Sequence, residues 1–180
     1  GVSTVERYGT QDQAIPNTFL SDFSTASITE DFSGNGKLEL NTPQYLKITT
    51  GSIERALTDY LKISIFTDAM YKADKDGDNT GDVTGTKVSF DIDFIYYDAS
   101  GAHTVRAFQS GFNGKCGSKY VHTFGIDTEQ YQPFTDWEVK VTRVGGDVSS
   151  SGYKVFNNIY CGIIESQITA KLEYPHSAYV

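Results

Sequence analysis

Asp74, Asp76 and Asp78 stand at alternate positions, and Asp82 follows shortly after. A hard cation takes several carboxylate oxygens at short range, so this run has the look of an opening calcium loop. An EF-hand counted from Asp74 needs glycine at its sixth position and glutamate at its twelfth; those places hold Asn79 and Gly85. Strand patterns, not helices, lie on both sides. A solvated loop joining strands is the preferred reading of Asp74–Asp82, with Ca²⁺ as the alternative.

Other reactive residues are dispersed. His103, His122 and His176 fall on separate elements, and none has a histidine or cysteine three or four residues away. A zinc site would therefore need convergence in space, and no G-x-S-x-G elbow marks a serine nucleophile. Asp91 and Asp93 share one face of a strand. Paired carboxylates can hydrolyse glycosides across a cleft, but a solvated outward face is the preferred reading. Cys116 and Cys161 form no C-x-x-C pair and no disulfide framework. Free, buried or half-buried thiols are preferred over a bridge. Tyr96, Tyr97, Tyr120, Tyr131, Tyr153 and Tyr160 either include an exposed row for sugar rings or serve the core and interfaces. No catalytic, cofactor-binding or metal-binding residue is assigned, and no cofactor is expected.

The elements that carry these residues read as strands. Leu61, Ile63 and Ile65 alternate with polar neighbours. Val88, Phe90, Ile92, Phe94 and Tyr96 point one way, with Ser89, Asp91 and Asp93 the other. Asp98-Ala99-Ser100-Gly101 makes a hairpin turn into His103–Gln109. Phe108–Ser118 reads as a glycine-rich connection, and Asp68–Lys87 as a polar loop. Tyr120, His122 and Phe124 mark another strand, as do Trp137, Val139 and Val141. Val155–Leu172 supplies a last long strand or strand pair. Ser52–Tyr60 has room for a helical turn or two. Upstream, Gly1–Gln44 is a looser arm with an edge strand, and Val5–Tyr8 is a candidate short strand. Ile168, Ala170, Leu172 and Tyr174 alternate toward the end, where Ala178-Tyr179-Val180 reads as the start of something continued.

Composition agrees. The 180 residues include 12 Tyr, 11 Phe and 17 Gly but one Met and one Trp, a mix that favours strands joined by glycine turns. A two-layer antiparallel β-sandwich of eight to ten strands, jelly-roll or Ig-like, is expected over 45–172. The net charge of −8 repels phosphate backbones, so nucleic acid is not expected as a partner. No apolar run is long enough to insert in a membrane.

The two ends carry a resemblance. Val5-Glu6-Arg7-Tyr8-Gly9-Thr10-Gln11-Asp12-Gln13 with Ile15-Pro16 resembles a segment of the tail-tip host-specificity (tip attachment) protein J family of lambda-like siphophages. Ile164-Glu165, Ala170-Lys171-Leu172 and Tyr174-Pro175-His176-Ser177-Ala178 resemble a later segment. Asp82-Val83-Thr84-Gly85, Ser118-Lys119-Tyr120 and Trp137-Glu138-Val139-Lys140-Val141-Thr142-Arg143 fall between them in the family's order. Departures are Thr142-Arg143, where paired basic residues are frequent, and the turn after Gln13.

The resemblance implies a large protein forming a trimeric hub at the end of a long non-contractile tail. This segment would be an internal insertion, with 1–44 and 173–180 joined to the parent hub domain. It also implies a virion tail-tip location after synthesis in the bacterial cytoplasm, encoded by a phage or prophage. That reducing compartment agrees with free thiols. The expected function is a non-enzymatic structural module in tail assembly and host attachment. Its partners would be other tail-tip proteins and copies of itself, as a homotrimer. The alternative is a carbohydrate-binding sandwich recognising host surface glycans; a glycosidase-like tail enzyme is a third class. Receptor contacts in the family lie further toward the C-terminus, so direct receptor binding by this segment is not implied.

Overall fold

In the computed structural model the described residues are 26–49, 55–75 and 81–169. Eleven strands run through them: β1 Ala26–Asp31, β2 Pro43–Leu46, β3 Tyr60–Thr67, β4 Tyr71–Asp74, β5 Val83–Thr84, β6 Thr86–Asp98, β7 Gly101–Gly114, β8 Tyr120–Asp127, β9 Asp136–Gly146, β10 Tyr153–Phe156 and β11 Tyr160–Ile168. Val5–Tyr8, Asp76, Asp78, His176 and the first three residues of the stretch expected to hold a helical turn, 52–54, lie outside the described residues, while Arg55 and Ala56 of that stretch are helical.

Period-2 alternation explains the main strands. Leu61, Ile63 and Ile65 of β3 are fully buried, as are Phe90, Ile92 and Phe94 of β6 and Trp137, Val139 and Val141 of β9. Each such side chain contributes about 1.5–3 kcal/mol by leaving water. Two four-stranded antiparallel sheets supply these inner faces, ordered β1-β11-β3-β8 and β2-β9-β6-β7. Ring contacts stitch them together: Phe90 of one sheet meets Phe124 of the other edge-on at 5.7 Å.

The strand order separates the two expected sandwich types. An Ig-like sheet hydrogen-bonds consecutive strands such as A with B and E with D. Here the outermost strands pair first, β1 with β11 and β2 with β9, then β3 with β8 and β6 with β7. An antiparallel ribbon of four rungs wrapped into two layers gives this order, which is a jelly roll. β1, within the segment read as an arm, forms an edge strand of its sheet.

Two expectations of a loop need correction. Asp68–Lys87 is not a plain polar loop, because β4 and β5 join β10 in a third, three-stranded sheet and Thr86 opens β6. Tyr71 stacking on Phe156 at 4.5 Å gives this small sheet its apolar anchor. Phe108–Ser118 is mostly strand, since β7 continues to Gly114. Gly111 fits a close approach: a Cβ there would strike the carbonyl oxygen of Val88 on the paired strand. Of the long strand or strand pair expected over Val155–Leu172, the pair forms, split between two sheets, with β10 in the small sheet and β11 in the sandwich.

A buried polar latch closes one end. Trp137 Nε1 donates to Thr58 Oγ1 at 3.0 Å, and Thr58 Oγ1 lies 2.8 Å from Ser166 Oγ. Thr128 Oγ1 donates to Thr58 O at 2.7 Å, so the indole and hydroxyls are satisfied without water.

Candidate functional site

The paired carboxylates of β6 come first. Their side chains leave the core face, as the alternation requires, yet the expected solvated face is not what forms: Asp91 is 8% exposed and Asp93 only 3%. Strand register supplies the reason. Asp93 sits opposite Arg106 of β7 on one side and Lys140 of β9 on the other, and these long side chains lie over it. Asp93 Oδ1 accepts from Arg106 Nε, Oδ2 accepts from Lys140 Nζ at 2.9 Å, and Asp91 Oδ2 accepts from Arg106 Nη1 at 2.7 Å. Burial pushes the Asp93 carboxyl up, but the hydrogen bonds and charges of Arg106 and Lys140 outweigh it and hold it below its usual value. A glycosidase acid needs the opposite shift, toward neutrality. The pair is built as a salt-bridged brace.

The same face continues outward. Tyr97 Oη donates to Glu138 at 2.6 Å, which with burial pushes the phenol up to about 12. Asp136 accepts from Arg55 Nε at 2.6 Å and from Lys47. Burial raises its carboxyl, and those two cations more than reverse the effect.

The hairpin between β6 and β7 gathers an aspartate, a serine and a histidine. Asp98 Oδ1 accepts from Ser100 N at 2.7 Å and Ser100 Oγ at 2.6 Å, with His103 Nε2 at 3.0 Å. The Ser100 hydroxyl and backbone, followed by His103, draw the Asp98 carboxyl down to about 2. Ser100 Oγ also lies 2.9 Å from that same Nε2. A charge-relay triad places serine and aspartate on opposite ring nitrogens. Here one nitrogen faces both, and Asp98 serves as an acceptor that closes the turn.

The remaining sequence candidates scatter. His103 stacks on Tyr96 at 4.9 Å, whereas His122 meets Phe124 on another strand. Asp74 and Asp82 close a hairpin, Asp74 N donating to Asp82 O at 2.9 Å. Among the described residues no group of three or more His, Cys, Asp or Glu is placed to hold a metal. Both cysteines are free; burial pushes the Cys161 thiol up to about 12, while Cys116 is partly exposed. Of the six tyrosines, Tyr96 stacks on Tyr131 and Tyr160 on Phe66. Tyr120 and Tyr153 of the six are exposed, on β8 and β10; among the described residues Tyr45 on β2 and Tyr60 on β3 are exposed as well. Tyr60 and Tyr120 stand at opposite ends of the β3–β8 pair, roughly 20 Å apart at 3.3 Å per residue.

One charged residue has no counterpart among the sequence candidates. Arg143 continues the inward parity of Trp137, Val139 and Val141, which is the signal that locates it, and it pairs with Phe90 across the sheet. Its Nη2 donates to Asn157 Oδ1 at 2.9 Å, while Nε is buried without a partner.

Together these features define an all-β jelly-roll module whose outer-face charges are largely engaged with one another. The sequence profile of the tip attachment protein J FNIII-A domain matches residues 38–169, and the chain belongs to that family. The family's label refers to a fibronectin type III sandwich; the two-layer architecture is shared, while the strand order here is that of a jelly roll. It is thus a domain of a phage tail attachment protein. No curated protein matches the chain. Among solved structures, the stem and receptor binding domain of the spike protein P1 from bacteriophage PM2 aligns at 11% identity with a TM-score of 0.28. That alignment covers 92% of this chain and 65% of the spike chain, and it is too loose to carry an argument.

Proposed function

We propose that the chain is a non-catalytic structural module of a phage or prophage tail tip, acting in tail assembly and host attachment. The observation that carries this reading is the family match over 38–169, which spans the sandwich from Leu38 to the end of β11. The segment ahead of β1 and residues 173–180 join it to a parent hub domain, where three copies close around a three-fold axis beside other tail-tip proteins. A rigid sandwich suits that task. Asp93 and Asp136 on its outer face are held ionised by arginine and lysine side chains, and its Asp98–His103 contact is a turn closure; neither arrangement activates water or a nucleophile.

The glycan-binding alternative lacks a platform among the described residues, since the exposed tyrosines occupy four strands. Gold-labelled antibody raised against the chain, applied to intact virions, tests the reading. Label at the distal end of the tail is expected, and the isolated chain should release no sugar from host surface glycans. Label confined to the capsid, or turnover that disappears with Asp93→Asn or Asp91→Asn, would overturn it.

A further inference from the structure

Arg143 is an arginine whose charge the fold leaves unmatched. Its guanidinium sits at the end of the sandwich, directed to the inner face by the register with Phe90. Five N–H donors are available on such a group, yet one hydrogen bond is made, to Asn157, and Arg143 enters no ion pair among the described residues. Burial pushes the guanidinium below its usual value. The carboxylate whose charge it feels is Glu39, which is exposed and already paired with Lys37 at 3.0 Å. A half-buried cation without a counter-ion costs stability, so its presence needs another explanation.

The surroundings hold it ready. Asn157 is 5% exposed, and its Nδ2 donates to Lys87 O at 3.0 Å and Asp147 O at 2.9 Å. Those two bonds fix the amide so that Oδ1 faces Arg143, which orients the guanidinium in advance. Arg143 remains partly exposed, hence reachable from outside. Leu40, bridged to Arg143, is 51% exposed and the adjoining Val144 is 39% exposed. An oriented arginine with an apolar rim is the makeup of an interface anchor, because docking excludes water from the ion pair.

We propose that Arg143, held by Asn157 and rimmed by Leu40 and Val144, receives a carboxylate side chain from a neighbouring protein chain. The choice of a protein neighbour rests on the tail-tip reading above; the unmatched arginine does not.

The test uses the 180-residue chain labelled with ¹⁵N, the Arg143 Nε–H resonance being assigned by its loss in Arg143→Lys. A tripeptide Leu-Glu-Leu capped at both ends is titrated against capped Leu-Gln-Leu and against sodium acetate, at constant ionic strength. The glutamate peptide should move the resonance saturably and at several-fold lower concentration than acetate. The glutamine peptide should not move it, and Arg106, already paired with Asp91 and Asp93, should shift several-fold less. Equal action by the glutamine peptide, no saturable shift, or acetate as effective as the peptide would each overturn the proposal. So would a shift of the same size in peptide-free Glu39→Gln, which would make the counter-ion internal. Arg143→Met should melt no lower than wild type; a drop of several degrees would assign the arginine to the fold. Virion label away from the tail tip would remove the tail-tip neighbours yet leave peptide binding intact, so the two failures are separable.

Discussion

A carboxylate pinned between two cations contributes to stability only while it is ionised. Asp93 is such a group, buried under Arg106 and Lys140 and held below the usual carboxylate range. Asp93→Asn would leave both cations facing a neutral amide and should cost about 1–3 kcal/mol in urea unfolding. The pH dependence has a definite sign. With the folded value depressed below an unfolded pKa of about 3.9, the contribution is complete above that pH and is lost as pH falls through the folded value. Unfolding midpoints of wild type and Asp93→Asn should therefore differ most above pH 4 and converge in acid. A gap that stays constant from pH 7 down to the acid transition would show that Asp93 acts through packing and not through its charge.

At the level of elements, β7 makes the sharpest prediction because its Gly111 sits where the paired strand comes close. Gly111→Ala would drive a Cβ into the Val88 carbonyl, whereas a Cβ at Gly117 meets nothing within 4 Å. Overpacking of this kind costs about 1–3 kcal/mol. Gly111→Ala should lower the thermal midpoint by several degrees while Gly117→Ala leaves it unchanged, and equal midpoints would contradict the close β6–β7 register. The same strand shows where sequence was hard to read. β3, β6 and β9 are legible because their apolar alternation coincides with a buried face. β7 is legible only over His103–Gln109; beyond that, an edge strand buries little and the glycines look like a connection. β4 and β5 are hidden by their polar residues, and the strand that anchors them through β4, β10, lies far along the chain. Alternation correctly turned Asp91 and Asp93 away from the core, but it could not say that Arg106 and Lys140 would cover them. That depends on register between strands. Arg143 was within reach of the count, one period beyond Val141.

For the whole molecule, the account joins a self-contained jelly roll to a place in a larger assembly. The described residues build a two-layer core whose outer-face charges are mostly paired, which suits a part whose work is holding position. The family match fixes the kind of protein to which such a part belongs. Copy number and placement are the consequences most exposed to test. Electron cryomicroscopy of the intact tail tip measures them directly. The account predicts density for this eleven-strand module in three copies around the tail axis, with Arg143 at a contact with an adjoining chain. A tail tip resolved well enough to trace strands, and lacking the module altogether, would contradict it.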